Sequence, residues 1–245
     1  MIFKLKKENI LIVGYGEIGK AIFKLYNSKK YNVYIKDVEQ SSLPVDNIDV
    51  MNICIPYSEN FIDIIKNYID LYNPNLTIIH STVLPGTTKK IKTSNIVYSP
   101  VIGTHPDLFN SIKTFTKFIG ANDKSSLKLV KRHFKDIKIK YKVFKNSKTT
   151  ETSKILSTLY YGMCISFHND VDILCKENNL PFEQVMTEWN AEYNKGYTSM
   201  GKINVVRPVL YPPKGKIGGH CIIKNAEIIK NYFKSDIVKY ILKLK

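Results

Sequence analysis

The chain has 245 residues, 44% of them hydrophobic, which suits one large folded domain or two modest ones and excludes a disordered chain. Its 37 basic and 21 acidic residues leave a net charge of +16, yet only Arg132 and Arg207 are arginines and the lysines recur from end to end, a pattern of solvated faces that argues against a nucleic-acid footprint and leaves attraction of an anionic small molecule. No apolar run reaches the roughly 20 residues of a membrane span, residues 1–9 hold no secretory core, and the four cysteines form no CxxC pair, so the expectation is a cytoplasmic protein off the membrane with reduced thiols.

Asn9–Val13 is a short apolar run of the kind found in strands buried on both faces. Gly14-Tyr15-Gly16-Glu17-Ile18-Gly19 follows at once, and Ile18, Ala21, Ile22, Leu25 and Tyr26 then recur at helical spacing. A second strand, Asn32–Lys36, ends at Asp37. This order is that of a dinucleotide-binding unit. The first glycine permits a tight turn, the second lets backbone approach a pyrophosphate, and the third lets helix and strand pack closely. Tyr15, Glu17 and Ile18 complete the cradle, where the helix start offers free N–H groups to phosphate. Asp37 is placed to accept from an adenosine ribose and would repel a 2′-phosphate, which favours NAD over NADP; the neighbouring Lys36 weakens that preference. A glycine turn without a ligand is the alternative.

Alternation continues with strands expected at 50–56, 76–80, 95–98, 117–120 and 138–144 and helices at 61–71 and 125–134. Such alternation predicts a Rossmann-type, doubly wound, mostly parallel sheet whose ligand lies at the carboxyl ends of the strands. Pro56 and the loop Ser81-Thr82-Val83-Leu84-Pro85-Gly86-Thr87-Thr88 converge on that end. Near residue 146 the period changes: Leu156, Leu159, Tyr160, Met163, Phe167, Val171 and Leu174 predict one long helix with most of that stripe in the core, followed by a shorter helix at 182–189. The expected domains are therefore residues 1–146, the nucleotide sheet, and 147–245, smaller and mainly helical. Tyr211–Cys221 is so dense in proline and glycine that it predicts a tight loop rather than a helix. Cys221 stands there beside His220; from the residues alone it is open between a structural cysteine and a reactive thiol. The five histidines are scattered, so no metal site is expected.

Gly14–Gly19, Ser81–Thr88, Glu151-Thr152-Ser153-Lys154 with Ile165–Asp170, and Gly218-Gly219-His220-Cys221-Ile222-Ile223-Lys224 together resemble the UDP-glucose/GDP-mannose 6-dehydrogenase family in order and approximate spacing, over nearly the whole chain. The resemblance implies oxidation of a primary alcohol of a sugar-nucleotide-like substrate by NAD. Cys221 would capture the aldehyde, and the thioester left by a second hydride transfer would be hydrolysed. It further implies that Lys154 stabilises the oxyanion, that Thr82 positions nicotinamide or water, and that Gly218, Gly219, His220 and Asn225 lie at the substrate. Without the resemblance Lys154 reads as an exposed helix lysine.

The chain departs from the family at the carboxylates. Val101 stands where the family has a glutamate after Ser99-Pro100, His105 at a second glutamate, Thr158 at an asparagine, and Asn225 at an aspartate. His105 is open between a replacement base and an ordinary loop residue, and Arg207 between an anion-binding fork and a surface residue. The family's third, nucleotide-holding domain has no counterpart, which predicts an exposed apolar helix and a homodimer through the second half. Two other readings stand beside the first. One is a β-hydroxyacid or prephenate-type dehydrogenase, which fits Gly103-Thr104-His105-Pro106 and the chain length but not the Gly-Gly-His-Cys segment. The other is a non-catalytic NAD-binding protein.

Overall fold

The computed structural model describes residues 7–39, 41–42, 47–213 and 219–244, and the chain divides into two compact units, Met1–Lys154 and Ile155–Lys245. The first unit is built on a seven-stranded sheet in the order β2-β1-β3-β4-β5-β6-β7. Its strands are β1 (Glu8–Val13), β2 (Tyr31–Lys36), β3 (Val50–Ile53), β4 (Leu76–Ile79), β5 (Ile96–Tyr98), β6 (Lys117–Ala121) and β7 (Tyr141–Phe144). The first five run parallel; β6 is antiparallel to β5 and parallel to β7. The doubly wound expectation therefore holds with one reversal.

Strand periodicity explains the two-sided core. Along β1, Ile10 and Ile12 face one cluster with Ile22, Val50, Ile78, Val97 and Phe134, while Leu11 and Val13 face another with Met51, Ile53, Phe61, Ile65 and Tyr98. Helices α1 (Glu17–Phe23), α2 (Phe61–Tyr72), α3 (Thr87–Lys90), α4 (Leu108–Thr114) and α5 (Lys124–Asp136) connect the strands. The caps of α4 and α5 are legible: the Asp107 carboxylate accepts from Asn110 N, and that of Asp123 from Ser126 N. Helix α4 is not among the expected helices, although Pro106-Asp107 announces its start.

Helix α6 (Ser147–Glu177) begins in the first unit and contributes residues from Ile155 onward to the second. The second unit continues through a π-helical turn (Glu183–Glu188), α7 (Trp189–Ser199), α8 (Gly219–Ile229) and α9 (Asp236–Lys243), around a core of Ile155, Leu159, Ile222, Ala226, Ile229, Val238 and Ile241. Two expectations are corrected here. The α6 stripe is not mostly core: Leu159 is buried, but Leu156, Tyr160, Phe167 and Leu174 are exposed, as are Tyr161 and Ile173. Periodicity finds an apolar face without revealing what covers it. The covered face carries Ile155 and Leu159 and includes Gly162, where a Cβ would lie 2.6 Å from Ile222 Cγ2. Second, Cys221 is not on a loop; it lies in the first turn of α8. Glycines near a helix start do not prevent the helix.

Candidate functional site

The glycine turn sits between β1 and α1, as its sequence requires. Gly14 adopts φ +90°, and its N–H bonds Lys36 O at 2.9 Å, tying the turn to β2. A Cβ on Gly14 would stand 2.9 Å from the carbonyl carbon of Cys54, and one on Gly19 only 2.0 Å from Gly14 O. Gly16 differs: it is exposed, and a Cβ there would meet nothing within 4 Å. The outer glycines are thus required by the fold, whereas the middle one opens onto space in front of α1. That is the cradle a pyrophosphate needs, so the residues fit a dinucleotide. Tyr15 and Ile18 are half-buried beside it.

Asp37 borders the turn. Its carboxylate accepts from Tyr15 N, from Val38 N at 2.7 Å and from Glu39 N at 3.4 Å, and these backbone bonds, that to Tyr15 foremost, hold it below the usual carboxylate range. The anion expected to meet a ribose also braces the turn. Across the mouth, His105 Nδ1 pairs with the Glu17 carboxylate, both groups solvent-exposed. The residue carried as a base therefore touches the first residue of α1. Pro56, after β3, is exposed on the same carboxyl-end side.

Thr82 is half-buried in the loop after β4. That loop is anchored twice. Ser81 Oγ donates to Ile55 O at 2.5 Å, and Glu151 of α6, fully buried, accepts from Gly86 N, from Thr88 N at 2.9 Å and from Thr88 Oγ1 at 2.6 Å. Burial raises the Glu151 carboxyl above its ordinary value, against the opposing pull of those bonds. Glu151 thereby fastens the start of α6, which carries the half-buried Lys154 one turn on, to the Thr82 loop. Nothing in the local pattern around Glu151 announces this anchoring, because its partners lie more than 60 residues away in the chain.

In the second unit Cys221 is exposed and Asn225, one turn later, is buried. Gly219 and His220 have helical backbone, while Gly218 lies outside the described residues. Arg207 is exposed. Its backbone N–H donates to Asn194 Oδ1 at 2.8 Å, and its guanidinium stacks 3.3 Å from the centroid of the Tyr193 ring. Among the described residues there is no group of three potential metal ligands, and no helix is long and apolar enough to cross a membrane.

A sheet of this order with a glycine turn after its first strand, followed in the chain by a helical unit, is the Rossmann-type architecture found in dehydrogenases. No protein-family model and no curated protein matches the sequence. Solved structures do match the fold. A UDP-D-ManNAc dehydrogenase from Pyrococcus horikoshii aligns with TM-score 0.75 at 15% identity, over 96% of this chain and 68% of its own. A UDP-glucose dehydrogenase from Pyrobaculum islandicum aligns with TM-score 0.70 at 15% identity, over 100% of this chain and 69% of its own. The 3-hydroxyisobutyrate dehydrogenase of Mycobacterium tuberculosis aligns with TM-score 0.71 at 12% identity, over 97% of this chain and 92% of its own. At these identities the likeness is one of fold.

Proposed function

We propose that the protein is an oxidoreductase that uses a nicotinamide dinucleotide, NAD in preference to NADP, to oxidise a CH–OH group of a small anionic or sugar-like substrate. The observation that carries this reading is the open Gly16 position between two sterically required glycines. A dinucleotide would rest on the Gly14–Gly19 turn, with Asp37 toward its ribose and Pro56 and Thr82 toward its nicotinamide half. Bound there, it would supply the hydride acceptor. Cys221 is the nucleophile of this reading, Lys154 the cation for a developing oxyanion, and Arg207, His220 and Asn225 the groups toward substrate. His105 enters less as a base than as the partner of Glu17 at the mouth of the cradle. The exposed apolar side chains of α6 support a homodimer through the second unit.

A second reading, a β-hydroxyacid dehydrogenase without a covalent step, is supported by the likeness of fold to the hydroxyisobutyrate dehydrogenase, at TM-score 0.71. Reduction of NAD in the presence of sugar nucleotides, simple sugars and hydroxy acids separates the two. Turnover of a sugar-type substrate that vanishes in Cys221→Ala supports the first, and turnover of a hydroxy acid indifferent to that substitution supports the second. Dinucleotide binding without turnover of any class would leave a binding protein and sink both.

A further inference from the structure

Five polar side chains scattered over the sequence form one buried chain of hydrogen bonds through the first unit. Lys117 Nζ, at the start of β6, donates to Ser99 O at 2.9 Å and Pro100 O at 3.0 Å and lies 3.3 Å from His80 Nδ1. His80 Nε2 is 2.9 Å from Asn52 Oδ1, Asn52 Nδ2 donates to Tyr26 Oη at 3.0 Å, and Tyr26 Oη is 3.0 Å from His133 Nε2. The five residues come from β6, the end of β4, β3, the segment after α1, and α5. All are buried, with Lys117 only 3% exposed.

One consistent set of directions starts from Lys117. With Lys117 an ammonium, its three protons serve the two carbonyls and His80 Nδ1. His80 then carries its proton on Nε2 and donates to Asn52 Oδ1. Asn52 donates onward to Tyr26, Tyr26 donates to His133 Nε2, and His133 keeps its proton on Nδ1. If Lys117 loses a proton to solvent, a second arrangement becomes available with every link reversed. His133 donates from Nε2 to Tyr26 Oη, Tyr26 donates to Asn52 Oδ1, and the turned amide donates to His80 Nε2. His80 then carries its proton on Nδ1, where Ser99 O already lies at 3.0 Å. One proton leaves, both histidines stay neutral, and each exchanges tautomer.

We propose that this chain is a two-state relay: loss of one proton from Lys117 reverses its hydrogen bonds and switches the tautomers of His80 and His133 together. The relay joins the two ends of the sheet. Lys117 holds the carbonyls after β5 on the side of the glycine turn, whereas His133 lines a cleft of about 40 Å³ at the opposite strand ends, with Glu8, Asp49, Arg132 and Asp136. A cavity of about 10 Å³ lies beside Tyr26, Asn52, His80 and Lys117, next to the one group that turns, the Asn52 amide.

The surrounding charges suit a neutral chain with one titrating end. Burial, with Lys154 adding to it and Cys54 opposing, pushes Lys117 down to about 7. The Cys54 thiol is pushed up to about 12 by burial and stays neutral. His80 is held well below its ordinary value by burial and Lys117, with the Ser99 bond opposing and His133 adding, and His133 falls to about 4 by burial and Arg132 against the pull of Asp136. Burial raises the Tyr26 hydroxyl, Glu8, Tyr31 and Cys54 adding to it while the Asn52 bond opposes.

Nuclear magnetic resonance of isotope-labelled imidazoles in the full-length protein tests the relay without any assay of activity. As pH rises through about 7, His80 should pass from Nε2–H to Nδ1–H and His133 from Nδ1–H to Nε2–H at a common midpoint, both remaining neutral. In Lys117→Met neither should exchange. In Tyr26→Phe, which keeps the ring but cuts the last link, His80 should exchange and His133 should not. Different midpoints, a fixed His80 tautomer, exchange that persists in Lys117→Met, or a His133 that still follows His80 in Tyr26→Phe would each overturn the relay. If Lys117→Met does not fold, the Tyr26→Phe comparison decides alone.

Discussion

At the scale of single residues, the two outer glycines of the turn and the buried titratable groups make opposite kinds of demand. Gly19 has no room for a methyl, since its Cβ would sit 2.0 Å from a backbone oxygen. Gly19→Ala should therefore cost roughly 1–3 kcal/mol or more of stability, the scale of overpacking a core, measurable by denaturant unfolding. The titratable groups demand a pH. Burial holds His133 near 4 in the folded protein against an ordinary 6.5, so the unfolded chain takes up its proton first, and the stability present above 6.5 is lost as pH falls toward 4. That loss is on the order of 3 kcal/mol. Lys117 acts in the same sense higher up: folded near 7 against 10.5 unfolded, it makes stability climb as pH rises through that window. Glu151, raised by burial, works the other way in the acid range. The rise in melting temperature of the wild type between pH 7 and 10.5 should be absent in Lys117→Met, whatever the variant's absolute stability. Identical slopes would show that Lys117 is not the group responsible.

At the scale of elements, legibility in the sequence depended on whether the signal was local. The β1–α1–β2 unit was readable because a buried strand, a glycine turn and a helical stripe follow one another within 37 residues and each has its own physical cause. The reversal at β6 was not, because strand direction is set by partners rather than by composition. Nor was the covered face of α6, since spacing cannot tell an apolar stripe that is packed from one left open. The Lys117–His133 chain was invisible for a related reason: its members belong to five elements and to no motif. The close crossing of α6 and α8 yields a prediction at this scale. In Gly162→Ala the new methyl would press on Ile222, displacing the helix whose first turn carries Cys221. Thiol alkylation at Cys221 and thermal stability should both change, the latter by about 1–3 kcal/mol, whereas Gly196→Ala, where a Cβ meets nothing within 4 Å, should leave both unaltered.

At the scale of the whole molecule, the chain combines a nucleotide-type sheet with a helical unit whose α6 leaves Leu156, Tyr160, Phe167 and Leu174 in solvent. If that surface joins two copies, light scattering should give twice the 28.2 kDa chain mass, and Tyr160→Glu with Phe167→Glu should return it to the monomer. A monomer in the wild type would remove the dimer from the account. The central claim, that the glycine turn holds a nicotinamide dinucleotide, is tested most directly by titrating NADH into the wild-type protein and Gly16→Ala. A methyl at that position meets no protein atom and should leave the fold and its melting temperature intact while filling the space a pyrophosphate needs. The account predicts saturable binding to the wild type and at least a tenfold loss in the variant, about 1.4 kcal/mol. Absence of binding in the wild type, or equal binding in both, would contradict it.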